Sequence, residues 1–158
     1  MSVPDLCQAC ALCCSGSLFR YAPLTEAEVA DLAALGANTF RRRDGTPGLR
    51  LGCTKLEGTL CGIYSARPFA CRDYLCQLAQ RLQFGALGLE QALERVREAQ
   101  AMLARMECEL PPRAEDEPRS VTQRAHLYGL DSGPRLLRET EEFLAEHFLG
   151  PLPRKGRG

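Results

Sequence analysis

The 158-residue chain has no tryptophan, and aromatic residues make up only 6% of it. The conventional core is therefore short of large rings. Net charge is absent too, because 20 Lys and Arg balance 20 Asp and Glu. That excludes nucleic acid as a partner held by bulk charge. No apolar run approaches the roughly 18 residues of a membrane span, and no membrane partner is expected. The start, MSVPDLCQAC, has no basic patch followed by an apolar stretch. No secretory leader is expected, and the expected compartment is the reducing cytoplasm. There are two histidines, His126 and His147. No Gly-rich phosphate loop and no Ser/His/Asp grouping is present, which counts against nucleotide enzymes and conventional hydrolases.

What the chain has instead is cysteine, nine in all. Cys7, Cys10, Cys13, Cys14, Cys53, Cys61, Cys71 and Cys76 crowd the first half, and Cys108 stands apart. An odd count in a reducing compartment fits metal ligation better than a disulfide scaffold. With both histidines far downstream, a metal would be held by thiolates alone. Soft all-sulfur sites suit Zn²⁺ or an iron–sulfur cluster. Four thiolates satisfy one Zn²⁺ or one 4Fe-4S cluster. The eight clustered cysteines therefore supply two centres, or one centre and redox-active spares. Cys108, at a helix end, is expected to pack as a small hydrophobe with no ligand role. His126 and His147 are expected to be ordinary helix residues.

The pattern of apolar residues predicts an α+β, mostly helical fold with a small β-hairpin region. A first short helix is expected to be capped by Asp5, with Gln8 completing the box, and to be stopped by Gly16. At about 100° per residue, Cys7, Cys10 and Cys14 would share one sector of it, with Cys13 to the side. Thr25 and Glu28 form a second capping box, opening a helix over 26–35 with Val29, Leu32 and Leu35 on one face. Residues 39–64 read as β, with a turn at 44–48 and a second hairpin around Gly58-Thr59, flanked by Cys53 and Cys61. Ser65 is expected to cap a helix holding Pro68 and Cys71. An amphipathic helix runs from Leu89 to about Cys108, Pro111-Pro112 ends it, and shorter helices follow at 121–128 and 134–149. The tail 153–158 is expected to be mobile. Arg41-Arg42-Arg43 is expected to be a solvated strand face.

Two stretches together carry a resemblance. Cys7-x-x-Cys10-x-x-Cys13-Cys14 comes first. Cys61-Gly-Ile63-Tyr64-Ser-Ala-Arg67-Pro68-Phe-Ala-Cys71-Arg72 follows, with Cys76 four residues on. Over residues 5–80 the chain resembles the CxxCxxCC family, the YkgJ-like cysteine-cluster proteins, which are zinc- or iron-chelating domains. The resemblance implies that the eight clustered cysteines are ligands. It also places Ile63, Tyr64, Arg67, Pro68 and Arg72 in the second motif. Thr54 and Tyr74-Leu75 depart from the family's usual prolines without touching a ligand. Longer relatives, the flagellin lysine methylases, look like methyl transferases that carry an iron–sulfur cluster.

The expected layout is a metal module over 1–80 and a helical cover over 81–158, forming one compact domain. Tyr64, Arg67 and Arg72 are the candidate cofactor-binding residues around the cysteines. Arg67 and Arg72 can offset thiolate charge or donate hydrogen bonds to sulfur. The expected function is metal binding by an iron–sulfur cluster or zinc, with a redox or catalytic role open to it. Two alternatives carry a protein or peptide partner. One is an iron–sulfur-dependent transferase or oxidoreductase modifying a peptide or protein. The other is a zinc-stabilised adaptor that uses spare apolar faces of the 89–107 and 134–149 helices.

Overall fold

A computed structural model describes residues 2–115, 117 and 119–150. The expected mobile tail at 153–158 lies outside them. The fold is α+β and mostly helical, as expected, and it buries two separate apolar clusters.

The helical cluster is built on α1 (Val3–Cys10), α4 (Gln77–Gln83), α5 (Leu89–Glu109), α6 (Val121–Tyr128) and α7 (Arg135–Leu144). The central helix, α5, buries Ala92, Val96, Ala99, Leu103 and Met106. Two of those five are alanines, whose small side chains let the neighbouring helices come close. Leu89 and Leu93 pack on the cluster only in part. Leu136, Leu137 and Leu144 of α7 and Phe148 of the π-helical turn Ala145–Leu149 fill the other side. The apolar faces of α5 and α7 thus bury against each other. Cys108 departs from expectation, since it is exposed. It follows Met106 by two residues, about 200° around the helix, and so misses the buried seam.

The second cluster lies between α2 (Glu26–Ala34) and a three-stranded antiparallel sheet. The strand order is β1 (Tyr21–Pro23), β3 (Pro47–Arg50), β2 (Thr39–Arg41). Phe40 faces Gly48 and Ala22 faces Leu49 in register. The strand β1 carries no alternating pattern and was not expected. Thr25 caps α2, and Leu32 is buried beneath it as expected. Leu35 instead caps the end of the helix and is 41% exposed. A two-stranded hairpin, β4 (Leu56–Glu57) with β5 (Leu60–Cys61), follows. The Arg41 guanidinium pairs with Glu26, and both are exposed. No helix among the described residues is long and apolar enough to cross a membrane.

Candidate metal centre

The first cysteines depart from their expected helix. Ser2, not Asp5, caps α1, and the Asp5 carboxylate accepts from the Ser2 N–H at 2.5 Å. The helix stops at Ala11, whose backbone is left-handed at φ 53°. Helical periodicity is lost beyond that point, so the predicted grouping of Cys7, Cys10 and Cys14 does not form. Cys13 and Cys14 instead lie in a tight turn, in which the Gly16 N–H donates to the Cys13 carbonyl at 3.2 Å. That turn is laid against the strand exit at 51–53. The Cys53 N–H donates to the Cys14 carbonyl at 2.8 Å. Gly16, at φ 81°, permits the approach, because a Cβ there would come 2.7 Å from the Gly52 nitrogen.

The second motif is also broken into pieces. Ser65 sits inside a 3₁₀ turn, Tyr64–Ala66, rather than capping a helix. Arg67, held extended by the proline that follows it, separates this turn from α3 (Phe69–Asp73), in which Cys71 lies. Glu28 of α2 fixes the start of α3 by accepting from the Phe69 N–H at 2.7 Å. Cys76 caps α4, and its sulfur accepts from the Ala79 N–H at 3.4 Å. Gln100 of α5 donates to the carbonyls of Ala9 and Cys10, at 3.0 and 3.2 Å, and holds the end of α1 in place.

These pieces line a half-open cavity of about 630 Å³. Cys7, Cys10, Cys13, Cys14, Cys61, Cys71 and Cys76 line it, and Cys53, outside the lining, is tied to Cys14 through the backbone. Tyr64, Arg67 and Arg72 line it too. The Arg67 guanidinium lies over the Tyr64 ring at 3.6 Å, and its Nε donates to the Tyr64 carbonyl at 2.9 Å. Phe19 and Tyr74 complete the wall as an edge-to-face pair, with ring centroids 5.0 Å apart. Neither ring was singled out as a site residue. Phe19 lies in an irregular segment with no periodic signal, and Tyr74 stands in the sequence only as a departure from the family pattern.

All nine cysteines are free. Burial pushes the thiols of Cys10 and Cys71 up to about 12 and that of Cys14 to about 11. It also raises Cys7, Cys13, Cys53 and Cys76. Neighbouring cysteine charge adds to the rise at all of these except Cys76. The positive charge of Arg67 works the other way at Cys7, Cys14 and Cys71. The Tyr74 hydroxyl is pushed up to about 12 by burial and then by Cys13 and Cys76. Packed thiols that resist ionisation one beside another need a cation to hold them as thiolates.

The thiols ring the cavity rather than meeting at a point. Among the described residues no three Cys, His, Asp or Glu side chains already form a group able to hold a metal ion. The donor chemistry nevertheless fits a thiophilic centre: seven thiols in the wall, no imidazole among them, and a guanidinium beside them. His126 lies elsewhere, with its Nε2 2.6 Å from Glu141, and His147 packs on the ring of Phe143.

Comparison with known families matches residues 6–109 to CxxCxxCC, described as a putative zinc- or iron-chelating domain. The chain belongs to this family. The match runs through the whole of α5, past the 5–80 stretch that carries the cysteine motifs. The CxxCxxCC domain thus includes the helix that backs α1 and α4 as well as the cysteines. No curated protein and no solved structure matches the chain.

Proposed function

We propose that this CxxCxxCC protein uses its cavity cysteines to hold an iron–sulfur cluster in the cytoplasm, where its nine free thiols suit the reducing conditions. The supporting observation is the cavity itself: seven thiols spread around about 630 Å³. A bare zinc ion draws its four thiolates to about 2.3 Å and needs little enclosed volume. A cluster of iron and sulfide is a body with a volume of its own. When bound, such a centre supplies one-electron redox chemistry, tuned by nearby charge and hydrogen bonds.

The protein's own residues prepare that environment. Arg67, braced on Tyr64, brings positive charge to thiols on both sides of the cavity. Phe19 and Tyr74 set aromatic rings against part of the wall.

Anaerobic purification with absorbance, iron and labile-sulfide analysis tests the proposal. A brown protein with iron and sulfide in equal amounts is expected. A colourless protein with stoichiometric zinc would replace the cluster by zinc on the same ligands. A protein with neither metal, before and after reconstitution, would end the metal-centre reading.

A further inference from the structure

We propose that the eight cysteines form two separate four-thiolate centres, Cys7, Cys10, Cys13 and Cys76 in one and Cys14, Cys53, Cys61 and Cys71 in the other. This rests on the metal-binding function proposed above. It goes further by assigning each ligand and the number of centres.

The division follows the two cores. Cys7 and Cys10 lie three residues apart on α1, and so on one face of it. Leu12, in the turn that holds Cys13, is buried in the helical cluster. Cys76 caps α4, which packs against α1, and Cys10 and Cys76 both pack on the helical cluster. The other four are tied to the sheet side, and β5, which carries Cys61, also reaches α1. Cys53 and Cys71 pack on the sheet cluster. Cys14 is tied to Cys53 through its carbonyl, and the hairpin that places Cys61 opposite Leu56 begins three residues after Cys53. Glu28 holds the helix of Cys71 to the helix that covers the sheet.

Cys14 is bonded in sequence to Cys13, and this dipeptide is where the two cores meet. Each set holds the four sulfurs that one zinc ion or one four-iron cluster takes, with no thiol left over.

Native mass spectrometry of the full chain, reduced and loaded anaerobically with zinc alone, counts the centres. Two zinc ions per chain are expected, and one per chain would overturn the proposal. Variants then test the partition. A Cys10→Ser/Cys76→Ser protein, altered within one set, should keep half the zinc. A Cys10→Ser/Cys71→Ser protein, altered across sets, should keep no tightly bound zinc. If the within-set variant remains helical by circular dichroism but also loses all its zinc, the sets are not independent and the partition fails. If the wild type binds no zinc and takes up no iron, the metal-binding function itself is refuted, a result distinct from one ion per chain.

Discussion

The helical cluster buries fifteen residues, among them Leu6, Met106 and Phe148, whereas the sheet cluster buries six. Fifteen interlocked side chains, thirteen of them on five helices and the terminal π turn and the other two, Leu12 and Leu110, just beyond helix ends, can hold together by apolar burial alone. Six, two of them alanines, spread over α2, two short strands and the loops beside them, cannot supply much. In the proposed two-centre arrangement the cysteines of the helical side ride on a scaffold that already stands, and those of the sheet side stitch together short segments that are far apart in sequence.

Metal removal gives the sharpest test of that contrast. Structural zinc contributes on the order of 10 kcal/mol to the folding of small cysteine domains. Stripping the metal under reducing conditions should therefore collapse amide protection across β1–β5 and α3 by orders of magnitude. The amides of α5 and α7 should keep most of theirs. Hydrogen exchange followed by mass spectrometry resolves the two regions. Equal loss in both would show that the helical half also depends on metal, and the contrast would fail.

A cavity cut into the helical cluster should do the reverse. Phe148 is fully buried, and Phe148→Ala should cost about 3–5 kcal/mol. The loss should read as an earlier urea midpoint for α5 and α7, while the metal content of the folded protein stays at the wild-type value. A variant that folds with wild-type stability but sheds metal would tie Phe148 to the cysteines and not to the helical core.

The same contrast explains what was legible in the sequence. The helices after residue 88 follow regular three- and four-residue steps of apolar side chains, and α5, α6 and α7 all lie near their expected positions. The capping box at Thr25 and Glu28 marked α2 just as clearly. Around the cysteines the local rules give out. The turn at Ala11 breaks the phase of the first helix with a left-handed residue that is not glycine. Arg67 and Pro68 cut the second motif into two short helical pieces. The strand β1 takes its place from pairing with β3, a long-range partner that no local pattern announces. Arg124 is another such case. It is buried at 1% exposure, pairs with Glu107 at 2.5 Å and bonds to the Pro111 carbonyl. Its charge is spent on holding the loop after α5, which a reading of surface charge would not find.

The smallest effect concerns Glu28, the residue that joins the sheet side to the Cys71 helix. Its carboxylate accepts from the Thr25 N–H at 2.8 Å, the Thr25 hydroxyl at 3.0 Å and the Phe69 N–H at 2.7 Å. The Phe69 and Thr25 amides hold it below the usual glutamate range. The stability it contributes is therefore complete above the ordinary value of about 4.3 and is lost only as pH falls through the lower folded value. Glu28→Gln keeps one amide oxygen as an acceptor but gives up the charge and the second oxygen. A cost of about 1 kcal/mol is expected, with faster exchange at the Phe69 amide. Because the titration lies well below neutrality, the deficit in the metal-loaded protein should be the same at pH 6, 7 and 8. A deficit that grows or shrinks across that window would mean that Glu28 works through a group that titrates there, and not through these three hydrogen bonds.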